Sequence, residues 1–548
     1  MTVAFVRQLG SEPGVQLNPL RDASEVPSTD NADQVFGIMM RATRGRIDKP
    51  FKVNSGNVYT KLGSGEPIRK NALNEAWVHV VEALNNGAYE CVVQRLVKTA
   101  EAKIKWAVIK ATEDEPPKYT FEVSDEEPSD FFIAVKHLEC FNDGIKLSFH
   151  AEGTKADGQD ADQDVITLKV QDKNGTDLYV FEGSLNEDAV DDYGNSKYLP
   201  DLATSLTDAV EIRVGVKGEA AVVKPGSAAY DWSDDGAQKW ATSDVLVCFT
   251  EGATSYESSD FVTARKKLQN CPYDFAYLSS GGSQDVGLLA QLAQLAYETN
   301  RQLRFDVAGK LTPEAAVKFV EQLNFGANKC AHLLHAFWSP LTSDDPTGVN
   351  PKGYFGVATL NIALACARNA QTNAKGFAPK NYPIAGREHQ IARTGIVQQY
   401  FPDSKEKNQL AKAKINPCGY ESYTGGGRYV FTDSLTCASV DNSLRKLIAV
   451  ADMSSSVDDA VTRAAKDYLQ QPMSVAVDKM KNYLTKYFTD AQTSGWLVPS
   501  SDPMMNGQAY VFTVKPSEAR PYDVMVVDYW VRYDGTVRQI HVTQTLTK

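Results

Sequence analysis

The chain has 548 residues, of which 43% are hydrophobic and 23% charged, with a formal net charge of −12. That is too long for one core and suggests about three or four domains of ordinary globular composition. The acidic balance argues against a general nucleic-acid binder and makes identical copies repel at long range, and no apolar run is long enough to cross a membrane as a helix.

The first residues, MTVAFVRQLGSEPGVQLNPL, lack the charged start, apolar run and cleavage site of a signal peptide, so assembly in the cytoplasm is expected. Residues 1–30 read as an N-terminal arm. Val3, Phe5 and Leu9 suggest a short strand, and Pro13, Gly14, Pro19 and Pro27 break any regular structure after it. Such an arm holds too little apolar area to fold alone and must stay disordered or dock on a neighbour.

Residues 31–100 form the first part of an αβ domain. VFGIMM from Val35 is a buried strand; Leu73, Trp77, Val80, Val81 and Leu84 share one helical face over 71–86, with Gly87 as the stop. A second buried strand comes next, over 89–97. Residues 101–240 change character: short alternating runs such as DVITLKV and DLYVFEG lie between acidic loops, as in a β-rich inserted domain. Asp160, Asp162 and Asp164 have calcium-loop spacing, but the glycine and glutamate that complete such a loop are missing.

Over 241–400 the αβ pattern returns. Strands are expected at 243–250 and 273–280 around a helix at 257–268. An amphipathic helix at 287–300, a strand at 301–309 and a helix capped by Thr312 with Pro313 at its first position come next. CAHLLHAFWSP reads as a strand and 353–373 as a long apolar helix.

Residues 401–535 hold two long helices, Ser443 to Leu469 and Met473 to Thr493. In the second, Val477, Met480, Leu484, Tyr487 and Phe488 make one face, with Lys479, Lys481 and Lys486 off it. Tyr522 to Leu546 then alternates as strand, turn, strand, with Asp534-Gly535 as a type I′ turn. Ile540, Val542 and Leu546 fall on one face of the closing arm, 536–548. A free-ending strand needs another chain to pair with it, which points to an assembly.

Chemistry-bearing clusters are few. Cys330, His332 and His335 lie close together but have no second ligand pair at a zinc-like spacing. The Ser279–Gly287 turn sits where α/β enzymes hold phosphate, yet matches no phosphate-loop pattern, and neither does Thr424–Arg428. No catalytic residues, cofactor or metal are therefore expected. The eight cysteines are scattered without a CxxC and read as reduced core residues; Cys418 and Cys437 are the candidates for cross-links between subunits in an oxidising medium.

Several stretches, in order, carry a family resemblance. They are Val35 to Gly45 with Lys49-Pro50, Asn86-Gly87 before a strand, and the small-residue helix Gly356 to Ala365 with Ala378-Pro379 and Ile384 to Gly386. Ile415 to Gly419 before Gly425 to Phe431, the basic pair in Leu444-Arg445-Lys446, and Gly495-Trp496-Leu497 complete the series. This order resembles the tail sheath proteins of contractile-tailed bacteriophages. Thr432 to Leu435 departs from it, standing where the family has Gly-Ala-Arg-Thr.

The resemblance implies a multidomain α/β (α+β) fold: a layered αβ core, a C-terminal sheet completed by the arms of neighbouring subunits, and an outward β-rich insertion. It implies a subunit stacked in six-membered rings around a tail tube, contracting without ATP to drive the tube through a host envelope. Its partners would be its own copies, the tail tube protein, and baseplate and neck or tail-terminator proteins, with no direct nucleic-acid contact and no membrane insertion. It would reside in the virion tail. Val3, Phe5, Leu9, Ile540, Val542 and Leu546 would form the inter-subunit arms, and Lys479, Lys481 and Lys486 a tube-facing surface. The alternatives are a sheath from a tailocin or type VI-like secretion machine and, from another class, an α/β enzyme resting on the Ser279–Gly287 turn.

Overall fold

The computed structural model describes residues 32–65, 76–98, 102–111, 119–129, 131, 133–152, 165–215, 230–232, 238–240 and 257–547. The arm residues Val3, Phe5 and Leu9, the triplet Asp160, Asp162 and Asp164, Cys248 and the strand expected at 243–250 lie outside the described residues.

Among the described residues, eight strands build the central sheet. They are β1 (Val35–Met40), β2 (Phe51–Val53), β3 (Glu90–Arg95), β4 (Tyr277–Ser279), β5 (Gln302–Val307), β6 (Leu334–Trp338), β7 (Ile415–Tyr423) and β8 (Gly426–Phe431). Their spatial order is β2-β3-β1-β4-β5-β6-β7-β8. The run from β3 to β7 is parallel, while β2 and β8 pair antiparallel at the two edges. Because β7 and β8 belong to this sheet, the division expected at residue 400 does not fall at a sheet edge.

Helices α1 (Ala76–Asn85), α2 (Ser258–Gln269), α3 (Val286–Thr299), α4 (Pro313–Leu323) and α5 (Ala358–Asn369) cover the sheet. Every residue of β1 is buried, which is why it reads as an unbroken apolar run. Phe36, Ile38 and Met40 enter one core with α1 and α5, whereas Val35 and Met39 enter the other with α2, α3 and α4. Gly87, at φ +118°, lies so close to α5 that a Cβ there would stand 2.5 Å from the Ala367 Cβ. Thr312 Oγ1 accepts the Ala315 N–H at 3.3 Å, so α4 starts where its cap and Pro313 place it.

Among the described residues the inserted segment contains a four-stranded and a three-stranded antiparallel sheet around a core of its own, including Ile133, Leu147, Leu168, Phe181 and Ile212, and a short two-stranded ribbon at Tyr230–Trp232 and Gln238–Trp240. Arg44 joins it to the central domain through a bidentate pair with Asp143 at 2.9 and 2.8 Å. The buried Arg95 donates to the carbonyls of Gly45 and Cys140, each at 2.7 Å.

Two long helices, α6 (Ile448–Asp467) and α7 (Met473–Thr493), pack with the hairpin β9 (Tyr510–Pro516) and β10 (Met525–Val531). The first was expected from Ser443. Leu447 is instead extended and bridges to Leu435, so only a 3₁₀ turn at Leu444–Lys446 precedes the α-helix. Asp452 of α6 ties this module to the sheet: its carboxylate pairs with Arg304 of β5 at 3.2 Å and Arg368 of α5 at 2.8 Å, all three buried.

Candidate assembly interface

The closing module is organised around Phe488. Its ring contacts Tyr510, Phe512 and Tyr529 at centroid distances of 5.3, 6.2 and 5.6 Å, fixing one face of the hairpin on α7. The alternation that puts Met525, Val527, Tyr529, Val531 and Tyr533 inward leaves Val526, Asp528 and Trp530 on the other face. Among the described residues the hairpin is a two-stranded sheet, so β9 and β10 each carry an outer edge without a partner strand.

The partner of β10 corrects the expected Asp534-Gly535 hairpin. A type I′ turn needs positive φ at both central residues, and neither Asp534 nor Gly535 has it. Residues 532–534 are also already bonded to upstream segments along the edge that continues from β9. The Arg532 N–H donates to Ala509 O, while Val498 N–H donates to Arg532 O and Asp534 N–H to Trp496 O, at 3.0, 2.9 and 3.1 Å. The strand that pairs with β10 lies upstream, in Tyr510–Pro516, where the alternating Tyr510, Phe512 and Val514 are the sequence signal for it.

Beyond Tyr533 the chain forms no helix or strand through residue 547. Val537, Ile540, Val542 and Leu546 are 76%, 78%, 87% and 89% exposed, so four apolar side chains stand in solvent on one short segment. The tail is tied down at Arg538, whose guanidinium forms a bidentate pair with Asp433 at 2.9 and 2.5 Å.

The point where the described chain begins is nearby. Ala32 and Asp33 line a groove of about 610 Å³ together with Phe377, Tyr483, Tyr487 and Trp496. Trp496 belongs to both neighbourhoods, because its carbonyl also accepts the Asp534 N–H. Asp33 is held by Lys380 at 2.7 Å and, through its carbonyl, by Asn369 at 2.9 Å.

Lys479, Lys481 and Lys486 are exposed on α7. Lys479 and Lys486, seven residues apart, share a helical face, while Lys481 points about 160° from Lys479 and about 140° from Lys486. Lys486 lines the groove, and Lys479 Nζ donates to Gln471 at 2.8 Å. The three therefore do not form one basic surface. Cys418 and Cys437 are only 2% and 4% exposed within their own chain, and burial pushes both thiols up, Cys437 to about 12. In this conformation neither reaches a neighbour, so the cross-link expected of them would need local opening.

Several donors in and beside the Ser279–Gly287 turn are bonded within the chain. Gly281 N–H donates to Ser279 Oγ and Leu288 N–H to Asp285 Oδ1, each at 3.0 Å, so a carboxylate already occupies the α3 N-terminus where a phosphate would sit. His335 is fully buried in β6; burial and then Arg304 depress its ring to about 3, which keeps it neutral. Asp306, at the end of β5, accepts the N–H groups of Val357 and Ala358 at 2.7 and 2.9 Å and borders a cavity of about 280 Å³.

No family model matches the sequence, and no curated protein sequence matches it. Solved structures do. A sheath tail protein from Listeria innocua superposes with a TM-score of 0.51 at 11% identity, over 92% of this chain and 98% of that one. A sheath tail protein from Desulfitobacterium hafniense gives 0.45 at 10% identity, over 91% of this chain and 96% of that one. A chain of the anti-feeding prophage baseplate in the contracted state gives 0.48 at 11% identity, over 98% and 99%. The chain has the multidomain α/β fold of a sheath tail protein.

Proposed function

We propose that this chain is the structural subunit of a contractile tail sheath. It polymerises as stacked six-membered rings around a tail tube and contracts to drive that tube through an envelope during genome delivery. The observation that carries the reading is the pairing of a donor with an acceptor on one molecule. The donor is the exposed tail with Ile540, Val542 and Leu546 in solvent; the acceptor is the two-stranded β9–β10 sheet with open edges.

Strand addition supplies main-chain hydrogen bonds between subunits, with alternate side chains buried on the acceptor. A tail that leaves one copy and completes the sheet of the next makes a head-to-tail contact, which generates an open array. The N-terminal arm, Val3, Phe5 and Leu9 included, plays the same part toward another neighbour, since residue 32 lines the same groove as Trp496 and residue 534 bonds to the Trp496 carbonyl. With arms linking the bodies, subunits can rotate between an extended and a contracted lattice without separating. This role implies the partners: other copies, a tail tube protein, a baseplate that triggers contraction and a terminator at the far end. Lys479 and Lys486 are the tube-facing candidates that share a surface.

Negative-stain microscopy of the purified protein tests the proposal. Cross-striated hollow cylinders are expected as concentration rises; discrete globules at every concentration would count against it. Removing residues 537–548 should leave a folded monomer that forms no cylinders, and normal cylinders from that truncation would refute the tail assignment.

A further inference from the structure

We infer that the Arg538–Asp433 pair is a latch that divides the tail into a root held by its own subunit and a donated segment, 539–547. The inference rests on the sheath reading and adds to it where the donated segment starts and what aims it.

Arg538 is the sole Lys, Arg, Asp or Glu between Asp534 and Lys548. Its charge is spent inside the chain: Nε and an Nη donate to the two carboxylate oxygens of Asp433, the fork-to-carboxylate geometry that fixes direction as well as distance. The pair is largely sheltered, with side-chain exposures of 28% and 16%, unlike the fully solvated pairs that contribute little.

Asp433 is itself well placed to serve as an anchor. It comes just after β8, and the residues on either side of it are bonded: Thr432 N–H to Pro417 O at 2.9 Å, and Ser434 O to the Ile448 N–H at 3.3 Å. The latch therefore ties the tail to the rim of the central sheet instead of to the hairpin it has just left. The segment beyond it, QIHVTQTLT, carries no acidic, lysine or arginine side chain and alternates apolar with polar residues, a composition suited to a strand. Extended, it reaches about 30 Å from a fixed point. Released from the latch, the same segment would swing from Asp534 over a larger volume, and its effective concentration at the neighbour's edge would fall.

The test uses the full chain with Asp433→Asn, Asp433→Arg and the swap Asp433→Arg/Arg538→Asp, beside the 537–548 truncation. With Asp433→Asn, tryptic cleavage after Arg538 in the monomer should speed up and the concentration needed for cylinders should rise, each roughly threefold. Asp433→Arg should raise that concentration further, and the swap should restore it. Wild-type assembly by Asp433→Asn, or a swap no better than Asp433→Arg alone, would overturn the latch while leaving the sheath reading intact. If the truncated chain also assembles normally, the tail assignment fails as well, and the two failures are told apart.

Discussion

At the scale of single residues, two buried aspartates have opposite pH behaviour. Burial raises the Asp306 carboxyl to about 6 against the opposing pull of the Ala358 and Val357 N–H groups. Its native value lies above its unfolded one. The stability it contributes is thus complete below the ordinary carboxylate range and is lost as pH rises through about 6. Asp306→Asn keeps an acceptor for both N–H groups and removes the charge. Urea unfolding should show it more stable than the parent by about 1–3 kcal/mol at pH 8, with the gap closing below pH 5. An unchanged gap across that range would mean the carboxyl is not the titrating group.

Asp452 works the other way. Burial opposes its charge, but Arg368 and Arg304 outweigh burial and hold it at about 2. Its contribution is present above the unfolded value and disappears as pH falls through about 2. Asp452→Asn would strand two guanidinium groups in the interior and should cost about 3–5 kcal/mol at neutral pH, measured by the same unfolding curves. Neither aspartate is legible in the sequence. Asp452 sits in the apolar run IAVADM, where a single charge reads as the solvent side of a helix, and its two arginines are far away along the chain.

At the scale of elements, what the sequence disclosed depended on whether the pattern was local. Helix α7 runs over Met473–Thr493 as expected, because Val477, Met480, Leu484 and Phe488 repeat at helical spacing between Pro472 and Gly495. β1 and β6 were visible as buried runs. The closing hairpin differs from expectation for the opposite reason. Alternation identifies a strand and its inward face but not its partner, so β10 pairs in expectation with the segment after it, whereas its partner lies before it. The exposed tail is therefore recognisable as strand-forming sequence, while the bonds that occupy residues 532–534 are invisible there. Phe488 is the residue on which the hairpin depends. Phe488→Ala should cost about 3–5 kcal/mol. In hydrogen exchange the loss of protection should be greatest over 510–531, with β5 remaining protected; uniform loss would show that hairpin and sheet unfold as one unit.

At the scale of the whole molecule, a net charge of −12 sets copies against one another until short-range contacts form. Under the proposed strand donation the tail answers this, since residues 539–547 carry no Lys, Arg, Asp or Glu and could approach an acidic neighbour without added repulsion. Raising ionic strength from about 0.01 to 0.15 M shortens the reach of that repulsion from about 30 to 8 Å, so cylinder formation should become faster over this interval. Slower assembly would place the controlling contacts among attractive ion pairs instead.

The most direct measurement of strand donation is amide exchange read by mass spectrometry on monomer and assembled protein. Donation into a neighbour's sheet predicts that residues 539–547 exchange freely in the monomer and become protected in the assembly, together with the outer edge of the β9–β10 hairpin. An assembly in which both segments exchange as fast as in the monomer would contradict it.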